Sequence, residues 1–254
     1  MAEVSKEVRI IGLHTLPEVQ LGDDLAALIL EAASREEVGL RSGDVVVVTQ
    51  KVVSKAEGRV VSLADVEPSP FARQLAERTE KDPRVVELVL RESRRIVRMD
   101  QRVIIAETHH GFVCANAGVD HSNIPGDDRV SLLPVDPDAS AERIRRTFQE
   151  RAGVQTAVIV SDTFGRPWRE GTTEVAIGVA GMEPVQSYIG LNDTEGHLLR
   201  TTAVALADEL ASAAGLVMEK LSRVPVAVLR GFHFTPGSSG ARSIVRPAEH
   251  DLFR

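Results

Sequence analysis

Cysteine and aromatic residues are scarce in this 254-residue sequence, which has one cysteine, Cys114, and 4% aromatic residues. One cysteine excludes an intramolecular disulfide and a zinc site built from several thiolates. We expect Cys114 to be a buried structural thiol, because the surrounding stretch 111–115 is mostly apolar. The low aromatic content also argues against a row of stacking platforms for single-stranded nucleic acid.

An excess of basic residues is absent too. Thirty Lys and Arg residues stand against thirty-seven Asp and Glu residues, which gives a formal net charge of −7. No global positive field therefore exists to hold nucleic acid or an anionic membrane surface. We accordingly expect neither nucleic acid nor a membrane among the partners.

Long apolar runs are missing as well. The longest, such as 45–48 and 157–160, are far shorter than the ~20 residues of a membrane-spanning helix. The first residues contain no apolar core followed by a small-residue cleavage site, so no secretory signal is recognisable. The sequence thus predicts a soluble, cytoplasmic protein.

Short periodic segments, separated by scattered proline and glycine, predict a mixture of helices and strands. Strands are predicted at 8–13, 44–49, 60–63, 102–106, 112–115, 154–161, 175–181, 185–190 and 224–229. Helices are predicted at 22–34, 69–80, 82–95, 138–152 and 202–221, and turns or loops at 50–59, 116–129 and 162–171. Because the predicted strands and helices do not alternate regularly, the sequence favours an α+β fold with mixed or antiparallel sheets and packed helices. We expect one domain over residues 1–254, with two closely associated α+β subdomains as the alternative.

Two aspartates are candidates for binding a divalent cation. Asp162 follows an apolar strand and stands beside the hydroxyl of Thr163, and Asp120 lies in a polar loop. Carboxylates in such positions suit a hard cation that keeps water and phosphate oxygens as its other ligands. The alternative is an ordinary turn or capping role, which an aspartate after a strand more often has.

Four cationic side chains are candidates for binding an anion. Lys51 and Lys55 lie in a predicted turn, where they can reach a phosphate or stay solvated as surface lysines. Arg166 and Arg169 flank Trp168 and can clamp a phosphate or carboxylate through bidentate hydrogen bonds. We expect Trp168 to pack against the fold. No Gly-x-x-x-x-Gly-Lys-Ser/Thr motif is present, so any nucleotide site is not a P-loop.

Four segments give a more specific signal than any of these spacings. They occur in order at 16–25 (LPEVQLGDDL), 46–58 (VVVTQKVVSKAEG), 116–123 (NAGVDHSN) and 161–171 (SDTFGRPWREG). Together they resemble the coenzyme F420-0:γ-glutamyl ligase family, from about residue 11 to residue 231. The resemblance implies an α+β fold peculiar to that family, neither a P-loop nor a Rossmann fold, and a homodimer.

The resemblance also implies an activity and a set of site residues. The activity is a GTP-dependent ligase that adds L-glutamate to coenzyme F420-0 and extends a γ-linked tail. It uses Mg²⁺ or Mn²⁺, with two divalent cations expected and K⁺ as a further candidate ion. The implied nucleotide contacts are Leu16, Pro17, Glu18, Val19, Gln50, Lys51, Lys55 and Asn123, and the implied metal ligands are Asp120, Asp162 and Thr163.

The chain departs from the family pattern after its last long helix. The family typically has a glycine-rich turn there, which helps to hold nucleotide and contributes a metal ligand. Here the run 218–225 reads MEKLSRVP, and Glu219 is the nearest acid to serve as that ligand. Some relatives carry a flavin-binding domain at the C-terminus, and we expect none here.

The implied chemistry is activation of a carboxylate by GTP as an acyl phosphate, which the amine of glutamate then attacks. In phosphoryl transfer the protein contributes mainly position and charge neutralisation. Lys55 would add a point charge, and Arg166 or Arg169 would hold the acceptor carboxylate or the acyl phosphate. Two alternatives use the same residues, a metal-dependent nucleotide phosphohydrolase and a GTP-binding regulatory module without turnover.

Overall fold

The computed structural model describes residues 7–251. Its strands are β1 (Arg9–Leu13), β2 (Val45–Thr49), β3 (Val60–Ser62), β4 (Ser93–Met99), β5 (Ile104–Thr108), β6 (Val113–Ala115), β7 (Arg129–Ser131), β8 (Ala157–Arg166), β9 (Arg169–Ala180), β10 (Gln186–Ser187), β11 (Ala203–Val204) and β12 (Val226–Arg230). Its α-helices are α1 (Leu25–Arg35), α2 (Gln50–Ala56), α3 (Pro70–Thr79), α4 (Pro83–Glu92), α5 (Pro137–Ala152) and α6 (Leu206–Met218).

The central sheet has five strands in the order β1-β12-β2-β8-β9. β2 and β8 run parallel, and the other neighbouring pairs run antiparallel. The valines of β2 and the apolar residues of β8 up to Val160 are fully buried, which explains why both strands read as continuous apolar runs. This mixed sheet with packed helices confirms the predicted α+β fold class.

Helices pack on the sheet in two groups. α1 and α5 contact each other, and α5 lies on β8 and β9. α6 packs separately across β1, β12, β2, β8 and β9. Asp136 caps α5 by accepting a hydrogen bond from the Ala139 amide at 3.0 Å, so the helix begins at Pro137, one residue before the predicted start. Asp138 instead accepts from the amides of Val179 and Ala241.

A second hydrophobic cluster lies between the central strands β2 and β8 in sequence. It is formed by α3, α4, the three-stranded sheet β4-β5-β6 and the β3-β7 pair, with Leu75, Val86, Ile104 and Val130 among its buried residues. Proline at the first turn of α3 and of α4, with capping by Ser69 and Asp82, places both helix starts where the sequence predicts them.

Several predicted elements differ from the structure. The stretch 50–59 is not a turn, because it contains α2. The helix predicted at 82–95 ends at Glu92, and β4 follows it directly. The loop predicted at 162–171 is the outer part of the β8-β9 hairpin. The strand predicted at 185–190 is reduced to β10, and the helix predicted at 202–221 is reduced to α6.

One expectation from the composition is met in the described residues. Cys114 is buried in β6, and burial raises the pKa of its thiol to about 12, so it is not a thiolate at neutral pH. No helix within residues 7–251 combines the length and the apolar character that crossing a membrane requires.

Candidate active site

The candidate site begins where two central strands end together. In the parallel pair of β2 and β8, Thr49 lies opposite Ser161. The next residues, Gln50 and Asp162, therefore lie at the same edge of the sheet. α2 starts directly at Gln50, so the helix carries Lys51 into this region. Parallel pairing thus brings together the lysine segment and the acidic segment that the sequence analysis singled out.

A cavity of about 960 Å³ lies at this edge. Most of the predicted site residues line it. They are Leu16, Pro17, Glu18, Val19, Gln50, Lys51, Lys55, Asn123, Asp162, Thr163 and Glu219. Asp120, Arg166 and Arg169 do not belong to its lining.

Asp120 is connected to the cavity through Lys51. The Lys51 ammonium donates to the Asp120 carboxylate and to both the carbonyl and the hydroxyl of Ser122, the latter two at 2.7 Å. The carboxylate also accepts from the Ser122 amide at 2.9 Å. Burial raises the pKa of Asp120, but the hydrogen bonds from Lys51 and Ser122 outweigh it and hold the pKa below its usual value. Asp120 is therefore an ionised carboxylate at neutral pH.

Asp162 is in the opposite electrostatic situation. Burial raises its pKa to about 7, and the nearby charges of Glu174 and Asp120 act in the same direction. The Thr163 amide and the charge of Lys51 oppose this shift without cancelling it. Asp162 forms no ion pair with another residue in the described chain. A carboxylate held among other carboxylates in this way is stabilised in its charged form by a bound cation.

Glu174 is a site residue that the sequence analysis missed. It lies opposite Thr163 in the β8-β9 hairpin and lines the cavity. Its carboxylate accepts hydrogen bonds from the hydroxyls of Thr163, at 2.5 Å, and Ser161, at 3.0 Å. Gly215 in α6 faces its side chain so closely that a Cβ atom at that position would lie 2.9 Å from Glu174 Cγ. The glycine therefore makes room for Glu174.

The same cavity is lined by the predicted nucleotide contacts. Lys55 donates to the Glu18 carboxylate at 2.6 Å, which ties α2 to the segment 16–19. Gln50 is buried at the start of α2, and its side-chain amide lies 2.9 Å from the Ser54 hydroxyl. This contact holds the first turn of α2 at the cavity wall.

Comparison with known proteins supplies the family. A sequence model of the F420-0:Gamma-glutamyl ligase family matches residues 14–231. The chain belongs to this family. A relative from Methanothermobacter thermautotrophicus, named coenzyme F420:L-glutamate ligase, is 48% identical over 250 residues, covering 97% of this chain and 99% of its own length.

Two further relatives carry the same printed name. The protein from Methanopyrus kandleri is 49% identical over 242 residues, which is 93% of this chain and 94% of the relative. The protein from Methanocaldococcus jannaschii is 40% identical over 255 residues and covers both chains completely. The resemblance stated from the four segments is thereby confirmed.

Within this F420-0:γ-glutamyl ligase domain, the two candidate arginines lie apart from the cavity. Arg166 and Arg169 face each other at the tip of the β8-β9 hairpin, and Arg166 donates to the Glu170 carbonyl at 3.1 Å. Trp168, between them, is 87% exposed, so the expectation that its ring packs against the fold of a single chain is wrong. The role predicted for the two arginines stays a prediction.

Metal binding by the protein alone is not evident from side-chain clustering. No group of three or more His, Cys, Asp or Glu side chains within residues 7–251 is arranged to hold a metal ion. Mg²⁺ usually takes only one or two protein carboxylates and completes its shell with water and substrate phosphates. The carboxylate oxygens of Asp162 and of the nearby Asp120 are hard donors. Asp120 is paired with Lys51, whereas Asp162 forms no ion pair in the described chain, so the two residues fit one such cation.

Gly215→Ala tests whether the room made for Glu174 matters. Alanine favours an α-helix over glycine by about 1 kcal/mol, so we expect an unchanged or slightly higher melting temperature. We expect kcat/KM for glutamate addition to fall about tenfold, because a displaced carboxylate loses its position relative to Thr163. The matched control is Gly165→Ala, since a Cβ there meets nothing within 4 Å. Equal activity of the two variants would contradict the assignment.

Proposed function

We propose that this protein is a GTP-dependent ligase that joins L-glutamate to coenzyme F420-0 and then extends a γ-linked glutamate tail. Family membership supports the overall reaction. The observation that carries the proposal at the site is that one cavity is lined by Asp162 and Glu174 together with Lys55 and the segment 16–19. A nucleoside triphosphate and an acidic acceptor are both anionic, so a site that binds them together needs cationic and metal-binding groups.

GTP would occupy the end of the cavity near α2. Gln50 lines this part of the cavity at the start of α2 and is one of the proposed nucleotide contacts. The Lys55 ammonium supplies a charge for a phosphate when it exchanges its partner Glu18 for the nucleotide. Asn123, which is exposed at the rim, is a further contact in this proposal.

A divalent cation, Mg²⁺ or Mn²⁺, would be held by Asp162 and Asp120. When bound, it neutralises charge on the transferring phosphoryl group. Lys51 keeps Asp120 ionised and fixes its loop against α2, so the carboxylate is oriented before the cation arrives. The residues present fit this cation, whereas a second cation at Thr163 would meet the Lys220 ammonium, which donates to the Thr163 hydroxyl.

The reaction itself proceeds in two transfers in this proposal. An oxygen of the acceptor carboxylate attacks the γ-phosphorus of GTP, and the bond to the β-phosphate oxygen breaks to release GDP. The amine of L-glutamate then attacks the carbonyl carbon of the acyl phosphate, an amide bond forms, and inorganic phosphate leaves with the amine proton lost to solvent. The protein's contribution is to align these groups and neutralise their charge.

A homodimer also belongs to the proposal, as the resemblance implies. Ile189, Leu191 and Leu198 are each more than half exposed in the single chain. Apolar side chains grouped on one surface segment are typical of a protein interface. The segment that carries them, between β10 and β11, is therefore the part of the chain we assign to subunit contact.

The test is mass spectrometry of the deazaflavin product. Purified protein is incubated with coenzyme F420-0, L-glutamate, GTP and Mn²⁺, and each component is omitted in turn. We expect mass gains of one or more glutamyl residues that require every component, and the number of gains gives the tail length. Accumulation of GDP with an unchanged precursor would favour a nucleotide phosphohydrolase, and nucleotide binding without GDP would favour a regulatory module.

A further inference from the structure

The segment that departs from the family pattern places a lysine at the metal end of the cavity. Immediately after α6, Glu219, Lys220 and Arg223 all line the cavity. The Lys220 ammonium donates a hydrogen bond to the hydroxyl oxygen of Thr163 at 2.6 Å. The segment that replaces the glycine-rich turn thus brings the Lys220 ammonium into contact with Thr163, one of the residues implied as metal ligands.

The Thr163 hydroxyl is already engaged on two sides. It donates a hydrogen bond to the Glu174 carboxylate at 2.5 Å and accepts a hydrogen bond from the Lys220 ammonium. A hydroxyl oxygen has two lone pairs, and Lys220 uses one of them. A divalent cation bound to the same oxygen would be separated from the Lys220 ammonium by that one oxygen atom, and the two positive charges would repel each other strongly. Thr163 therefore does not fit a second divalent cation while Lys220 holds this contact.

The charges around Thr163 favour the lysine in that place. Glu174 accepts from both Thr163 and Ser161, so its carboxylate is oriented toward this hydroxyl pair. Lys220 donates to the same hydroxyl and so partly offsets the charge of Glu174, with which it forms no direct ion pair within residues 7–251. Asp162, by contrast, has no ammonium or guanidinium partner in the described chain, and the need for a cation remains there.

We propose that the Lys220 ammonium replaces the second divalent cation, so that the site holds one divalent cation at Asp162 and Asp120 and a protein-borne positive charge at Thr163. This inference rests on the proposed function, since it concerns the same phosphate-binding site. Lys220 is a positioning residue for the anionic phosphates, in the place where a second metal ion would otherwise act.

The test counts bound Mn²⁺ and does not depend on turnover. Protein is mixed with one equivalent of a non-hydrolysable GTP analogue, dialysed against Mn²⁺ at increasing concentration, and the free ion is measured by electron paramagnetic resonance. We expect one Mn²⁺ per chain for the unaltered protein and two for Lys220→Met. Lys220→Arg keeps the charge and should bind one, and Arg223→Met, which removes a lining cation without a contact to Thr163, should also bind one.

The number of Mn²⁺ ions bound per chain decides between the outcomes. Two Mn²⁺ in the unaltered protein, or only one in Lys220→Met, would overturn the replacement. Lys220→Gln provides a second neutral variant if the methionine variant melts at a much lower temperature. No Mn²⁺ in the unaltered protein would overturn both the inference and the proposed metal site. Failure of the glutamate-addition assay alone would overturn the proposed function and leave the count standing.

Discussion

Asp162→Asn is expected to abolish glutamate addition and GDP release while leaving the chain folded. Asparagine has nearly the same shape as aspartate, so the β8 strand and its pairing with β9 should persist. The variant loses the one carboxylate in the cavity lining that has a strongly raised pKa and no ion pair. We expect kcat to fall by at least about 1,000-fold, a size typical of losing a preorganised electrostatic group at a reacting centre.

The same substitution should stabilise the metal-free protein at alkaline pH. The pKa of Asp162 is about 7 in the folded chain against a usual value of 3.8, so the folded state binds this proton more tightly than the unfolded state. Stability from this group is therefore full below about pH 4 and is lost as the pH rises through 7. A shift of about 3 pKa units at about 1.4 kcal/mol each sets an upper limit of about 4 kcal/mol.

Thermal denaturation in EDTA at pH 5 and pH 8 measures this effect. We expect Asp162→Asn to melt higher than the unaltered protein at pH 8, with a smaller difference at pH 5. Asp208→Asn is the matched control, because burial also raises the pKa of Asp208 but its carboxylate accepts from the Ala176 amide and lies outside the cavity lining. Asp208→Asn should keep its activity. Full activity in Asp162→Asn would exclude Asp162 from metal binding.

Much of the fold could be predicted because its signals are local. The buried valines of β2 form an uninterrupted β-branched run, and proline after Ser69 and Asp82 marks two helix starts. Such features depend on neighbouring residues alone. The family resemblance added the order of the site segments, which the later match to the family confirmed.

Helix α2 was missed because its local sequence argues against it. Two adjacent valines disfavour a helix, and Thr49 makes no capping hydrogen bond with its side chain. Tertiary contacts hold the helix instead. Gln50 and Ser54 are buried with their side chains 2.9 Å apart, and the Ser54 hydroxyl lies 2.7 Å from the Leu132 carbonyl, to which it donates. No pattern within the segment itself reports a partner so distant in the sequence.

Glu174 was missed for a related reason. Glycine and proline in the stretch 162–171 indicated a loop, whereas the chain continues as a long β-hairpin. With the turn at Pro167 and Trp168, counting back along both strands would set Thr172 opposite Thr163. A register shift between Gly165 and Arg166 moves Glu174 into that position instead, so the pairing could not be read from the turn alone.

Lys51→Gln is the second variant with a large expected effect. Glutamine keeps a hydrogen-bond donor but removes the ammonium, whose hydrogen bond and charge, with the hydrogen bonds from Ser122, hold the pKa of Asp120 below its usual value. The same charge also lowers the pKa of Asp162, which is about 7, so that pKa rises as well in the variant. Burial then acts on Asp120 with less opposition, so its pKa rises and the carboxylate takes up a proton at higher pH. We expect kcat near neutral pH to fall roughly 100-fold.

The pH profile separates this explanation from a general loss of structure. A carboxylate whose pKa has risen is protonated first as the pH falls, so the acidic limb of kcat/KM should move to higher pH in Lys51→Gln. Part of the lost activity should return under alkaline conditions. Lys81→Gln removes the same charge outside the cavity and should leave the profile unchanged. A uniform loss at every pH would mean that Lys51 acts by holding the loop of Ser122 in place, and not through the pKa of Asp120 or of Asp162.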